Sequence, residues 1–137
     1  MKIKDLVTNG LFCDGDWIES KDQDPEGEIR LIQLADIGDG HFIDKSSRFM
    51  NLETATRLKC SYLKKNDILI ARMPDPIGRA CIFPFDESQK FVTVVDVALL
   101  RLGSDVSSKY VMYALNSTLI RNSIKGQVTG TTRQRIT

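Results

Sequence analysis

Five short apolar runs, each closed by polar or turn-forming residues, set the limits on what this chain can fold into. They are IRLIQL at Ile29 to Leu34, ILIAR at Ile68 to Arg72, RACIF at Arg79 to Phe83, FVTVV at Phe91 to Val95 and VALLRL at Val97 to Leu102. Each reads as a strand. In the first run Ile29, Leu31 and Gln33 alternate against Arg30, Ile32 and Leu34, and both sets carry apolar groups. A strand apolar on both faces belongs in the middle of a sheet. The last two runs are interrupted only by Asp96, so they form either one long strand or two with a bulge at that aspartate.

The residues between the runs supply turns and caps. Glu19 to Gly27, ESKDQDPEG, reads as an acidic solvated loop. DIGDGHF makes a turn into a short strand around His41 to Ile43, and Asn51 is placed to cap a helix, LETATRLK, that ends near Cys60. KKND is a polar turn, and MPDPIG breaks the chain between the second and third runs. Ser107 and Ser108 precede a capped helix, YVMYALNS, with Val111, Ala114 and Leu115 on one face. A second helical stretch, TLIRNSIKG, stops at Gly126. Trp17, beside Ile18, is expected to anchor the core. Strands come mostly first and helices mostly last. The fold class expected is therefore α+β, with a mixed, mostly antiparallel sheet and short helices, in a single domain over residues 1–137.

Totals exclude several classes of protein. An apolar content of 42% with 27% charged residues is that of a chain that folds. No stretch approaches the ~18 consecutive apolar residues of a membrane span, and the start MKIKDLVTNG lacks a signal-peptide core, so a cytoplasmic location is expected. Cys13, Cys60 and Cys81 are widely separated, and the chain has one histidine, which argues against a zinc site or a disulfide framework. The net charge of +1 hides an asymmetry. Met1 to Glu53 holds 12 acidic and 6 basic residues, whereas Thr54 to Thr137 holds 6 acidic and 13 basic. Such a basic second part suits either an ordinary solvated surface or one that faces a polyanion.

Candidates for catalysis are thin. His41 sits in a turn with no partner at a telling spacing. Asp14 and Asp16 in CDGDW lack the other ligands of a calcium loop and read as turn residues. GDGHF and GTTRQ lack the spacing of a phosphate-cradling loop. PDPIG has neither the second adjacent proline nor the aromatic residue of a DNA amino-methyltransferase motif. The chain is expected to be no enzyme and to use no cofactor.

Taken in order, FCDGDWIESKDQ, IRLIQLADIGDGHF, NDILIARMPDPIGRACIF, VTVVDVALLRL and GTTRQRIT give the chain, over nearly its whole length, a pattern that resembles the target-recognition domains of Type I restriction-modification specificity subunits. The resemblance implies that fold, and sequence-specific binding of double-stranded DNA. In that family two such domains each read half of a split target and direct the methyltransferase (modification) and restriction subunits, which carry the catalysis. No membrane or small-molecule substrate is implied. Two other readings stay open: the recognition domain of a fused single-chain restriction-methyltransferase, and a protein-interaction module that binds methyltransferase subunits without reading DNA.

Base reading needs donors and acceptors that reach base edges, most often arginine to guanine and asparagine or glutamine to adenine. Arg72 and Arg79 bracket MPDPIG and would present two guanidinium groups at one sheet edge; alternatively they pair with Asp75 or Asp67 and stiffen the turn. Gln127, Thr129, Thr131, Thr132, Arg133, Gln134 and Arg135 offer amides, hydroxyls and charged forks suited to phosphate and base contact. Lys109, Arg121 and Lys125 are expected to steer electrostatically.

Overall fold

The computed structural model describes residues 10–73, 77–86, 90–103 and 106–125. Within them the apolar runs form strands β2 (Ile29–Ile32), β4 (Ile68–Ala71), β5 (Ala80–Ile82), β6 (Lys90–Thr93) and β7 (Val97–Arg101). Two shorter strands, β1 (Leu11–Cys13) and β3 (Phe49–Met50), complete two sheets. One is four-stranded and antiparallel throughout, in the order β1-β7-β4-β5. The other is three-stranded, in the order β3-β2-β6, with β3 antiparallel and β6 parallel to β2. The class is α+β with mixed, mostly antiparallel pairing, and β2 is central as its two apolar faces require.

Side-chain alternation explains the layering. In β4 and β7, Ile68, Ile70, Ala98 and Leu100 face Val111, Met112 and Leu115 of helix α2 (Ser108–Leu115). Leu69, Ala71, Val97 and Leu99 point the other way and meet Ile32 and Phe91 of the three-stranded sheet, together with Cys81 and Phe83. On that sheet's far side, Ile29, Leu31, Met50 and Val92 pack on Ala55 of helix α1 (Leu52–Arg57). The layers thus run helix, sheet, sheet, helix. Each fully buried aliphatic side chain contributes about 1.5–3 kcal/mol relative to exposure, so no sheet face can be left uncovered.

Local chemistry starts the first two helices as expected, though they end sooner than expected, and Gly126, the expected end of the third, lies outside the described residues. The Asn51 side chain accepts from Thr54 N at 2.8 Å, and the Ser107 side chain caps α2 by accepting from Tyr110 N. Helix α3 (Thr118–Lys125) follows after Asn116, whose amide exchanges two 2.8 Å bonds with the backbone of Ala80 and so covers the outer edge of β5. Met112 takes the core position expected of Ala114, which is only half-buried.

Four expectations change. Phe91 to Leu102 holds two strands, one of the two alternatives, but they are not joined by a bulge at Asp96: a tight turn, with Val97 N donating to Val94 O at 3.0 Å, carries the chain from one sheet to the other. The segment His41 to Ile43 makes a single bridge, Ile37 to Phe42, instead of a strand. Its backbone is used in two single bonds, Ile43 N to Asp36 O at 2.8 Å and Gly38 N to His41 O at 2.9 Å, while the fully buried Asp36 carboxylate accepts from Gln33 N, Lys45 N and Ser46 N on either side of it at 2.7–2.8 Å. Within Glu19 to Gly27, Ser20–Asp22 is one 3-10 turn closed by the buried Asp22, which accepts from Glu19 N at 3.1 Å. Finally, Trp17 is 69% exposed. Asp16 bridges Val94 in extended conformation, and the alternation that turns Ile18 into the core turns Trp17 outward.

Because Trp17 is the single tryptophan, it reports directly on this correction. Native emission is expected close to that of free tryptophan and open to acrylamide quenching, and Trp17→Ala is expected to change unfolding free energy by less than about 1 kcal/mol. A blue-shifted, quencher-protected native spectrum would place the indole in the core instead.

Candidate nucleic-acid interface

The loop between β4 and β5 was expected to offer two arginines to a ligand. Both turn inward. Arg79 is 7% exposed, and its Nε donates to Ile37 O at 2.6 Å while its two terminal nitrogens donate to Met73 O and Leu34 O at 3.0 Å. Arg72 is 6% exposed, donates to Val95 O at 2.7 Å and lies 3.4 Å from the Asp14 carboxylate. Leu34 and Ile37 follow β2, and Val95 sits in the turn between the sheets, so each guanidinium braces one sheet against the other. Charged donors on buried or part-buried carbonyls are strong ties, and losing the one to Ile37 O, the fully buried bond, would be the most costly.

The alternative pairing with Asp67 is not formed either, and Asp75 lies outside the described residues. Asp67, 2% exposed, belongs to Arg101, whose Nε and a terminal nitrogen donate to its two oxygens at 2.9 Å. The same carboxylate accepts from Lys64 N at 2.7 Å, and Arg101 also donates to Tyr62 O at 3.0 Å. Asn66, at φ +76°, donates to Phe83 O. The KKND turn is thereby held rigid, with the side chains of Lys64 and Lys65 exposed at its tip.

A third exposed lysine stands beside this turn. Leu63 N donates to Phe91 O at 2.9 Å and Tyr62 bridges Val92, so the segment before the turn runs antiparallel to β6. Lys90 at the start of β6 holds its ammonium 4.7 Å from the centre of the Tyr62 ring. Lys65 lies on the rim of an open cavity of about 450 Å³, whose lining also includes Arg30, Asp44, Asp86 and Phe91. Sequence reading passed over this cluster because KKND registered only as a turn and Lys90 is distant from it along the chain.

The remaining candidates divide. Gln127, Thr129, Thr131, Thr132, Arg133, Gln134 and Arg135 lie outside the described residues, at the end that α3 leads to. Arg121, expected to steer, is tied down: it donates to both Asp39 oxygens at 2.9 and 3.0 Å and to the Asn116 amide oxygen at 3.0 Å. That contact holds the Asp39 carboxyl below its usual range. Lys109 is exposed on the first turn of α2.

The CDGDW acids do not converge. Asp14 faces Arg72, whereas Asp16 accepts from Ser61 N at 2.9 Å, and desolvation raises its carboxyl despite that bond. Gly15 between them is required by space, since a Cβ there would lie 1.8 Å from Val94 O. Among the described residues no group of three or more His, Cys, Asp or Glu could hold a metal ion. Burial pushes the Cys60 thiol up to about 11 and the Cys81 thiol up to about 12, with nearby aspartates adding to both, so neither is an available thiolate near neutral pH.

No protein-family model and no curated protein matches the sequence. Solved structures do. The S subunit of the Type I restriction-modification system of M. genitalium superimposes with a TM-score of 0.57 at 20% identity, over 100% of this chain and 30% of that one. The HsdS subunit from Thermoanaerobacter tengcongensis gives a TM-score of 0.66 at 14% identity, over 99% of this chain and 32% of that one. A chain from a structure describing assembly and conformational transition of the type I R-M system gives 0.63 at 17% identity, over 92% and 28%. The chain has the fold of a segment of these subunits and spans about a third of their length or less.

Two outcomes follow from the geometry. Arg79→Ala is expected to lower stability by about 2–4 kcal/mol in chemical denaturation, since one buried and two part-buried bonds to carbonyls are lost at roughly 1–3 kcal/mol for the buried one and less for the others. An unchanged midpoint would show that the brace is dispensable. For the thiols, the folded state favours the neutral form, so their contribution to stability is complete below the ordinary thiol value of 9.0 and is lost as pH rises towards 11 and 12. Cys81 is expected to resist a disulfide reagent at pH 8 until the chain unfolds; rapid native labelling would contradict its burial.

Proposed function

We propose that this chain is a DNA target-recognition module of a Type I restriction-modification specificity subunit. It binds double-stranded DNA in a sequence-dependent way, reads one half of a split target, and directs separate methyltransferase and restriction subunits without catalysing a reaction itself. The observation that carries this reading is the superposition of 92–100% of the chain on the S-subunit structures. Residues 1–137 act as one recognition domain, and work beside DNA and those subunits in the cytoplasm is consistent with the absence, among the described residues, of a helix long and apolar enough to cross a membrane.

Buried Arg72 and Arg79 serve this function best as braces that fix the loops around them. Base and phosphate contact is assigned to the polar segment Gln127 to Arg135, where Arg133 and Arg135 are forks able to bind guanine edges or phosphate in bidentate fashion. Electrophoretic or fluorescence-anisotropy titration of duplex libraries tests the reading. Affinity is expected to fall steeply with salt and to differ between sequences. Equal, salt-insensitive behaviour on all duplexes would refute DNA reading and leave a protein-interaction module. Arg133→Ala with Arg135→Ala is expected to weaken binding at moderate salt by 10-fold or more, at about 1–3 kcal/mol for each base-reading pair lost; unchanged affinity would remove the segment from the interface.

A further inference from the structure

We infer that Lys64, Lys65 and Lys90 form a ridge that docks on the DNA phosphate backbone and sets the orientation of the module without reading bases. The inference rests on the DNA-binding reading above and names a contact surface distinct from the Gln127 to Arg135 segment. Three exposed ammonium groups are brought together from two parts of the chain by the pairing of Tyr62 and Leu63 with β6. The carboxylates around them are largely spent elsewhere. Asp67 is locked to Arg101, Asp44 lies 2.5 Å from Arg30, and Glu28 accepts from Leu52 N at the start of α1. Asp86 lines the cavity with Lys65 and Asp44. Among the described residues the local balance is therefore positive, on a chain whose total charge is only +1.

Rigidity argues the same way. Lys64 and Lys65 project from a turn whose backbone is pinned by Asp67 and Phe83 O, and the Lys90 ammonium is held over the Tyr62 ring. A pinned backbone leaves only side-chain entropy to lose on binding. Lysine is a compact, flexible point charge without arginine's planar fork, a form well suited to phosphate contact.

The test is the salt dependence of binding by the intact chain to two unrelated duplexes, for wild type, for Lys64→Ala/Lys65→Ala/Lys90→Ala, for the corresponding glutamine triple variant, and for Lys21→Ala as a control on an ion-paired lysine in a different loop. Each phosphate contact contributes about 0.9 to the slope of log K against log salt, so the triple variants are expected to lose roughly 2–3 units of slope. At 0.1 M salt their affinity is expected to fall by about two orders of magnitude, equally on both duplexes, with an unchanged melting temperature and no change for Lys21→Ala. If wild type binds with a steep slope and the triple variants keep it, the ridge is overturned while DNA binding stands. A loss confined to one duplex would make the lysines base readers and overturn the inference as stated. If wild type shows no salt-dependent binding, the DNA reading itself fails and the ridge with it.

Discussion

The seam between the two sheets is the constraint on which everything else depends. Leu69, Ala71, Val97 and Leu99 on one side and Ile32 and Phe91 on the other form a single apolar layer that neither sheet could leave open to water. Such a layer fixes separation but not angle or register, because dispersion contacts are weakly directional. Directional ties are supplied at its margins. Arg79 fastens the start of β5 to the backbone just after β2, and Arg72 fastens the end of β4 to the turn joining β6 and β7. These buried arginines are inter-sheet fasteners, and the loops that leave the seam inherit their placement from them.

A second set of buried carboxylates does for loops what the arginines do for sheets. Asp36 gathers three backbone N–H groups from the stretch after β2, and Asp67 gathers Arg101 and the Lys64 N–H into one turn. Both lie at full or nearly full burial, where an unpaired charge would be very costly, so each is surrounded by donors. For the proposed DNA-reading function the consequence is that the segments after β2 and before β4, of the kind that carry contacting side chains, are held by charge-assisted bonds and not left as loose connections. A recognition surface that must distinguish base sequences gains from that order, since misplacing a donor by an ångström forfeits a base contact.

Much of this was legible in the chain of letters, and the reason is local. Apolar runs bounded by turn residues located the five main strands to within a residue or two, and two apolar faces on IRLI placed β2 at a sheet centre. Asn51 and Ser107 announced their helices because a cap acts on backbone groups only two or three residues away. Trp17 misled because a large aromatic is a burial signal only when the strand's alternation turns it inward, and here Ile18 takes that place. Of the two roles left open for Arg72 and Arg79, their burial argues against base contact, and the sequence could not announce it because burying an arginine depends on carbonyls distant along the chain.

Fold class, caps, central strand and the resemblance to a recognition domain came from the amino-acid order alone, because they rest on periodicity and on neighbours along the chain. The tertiary structure decided which charges are free. It buried Arg72, Arg79 and Asp67, tied Arg121 to Asp39, and brought Lys90 beside Lys64 and Lys65, because the partners that neutralise or cluster a charge come from other strands. A count of basic residues could not have separated the fasteners from the lysines left facing water.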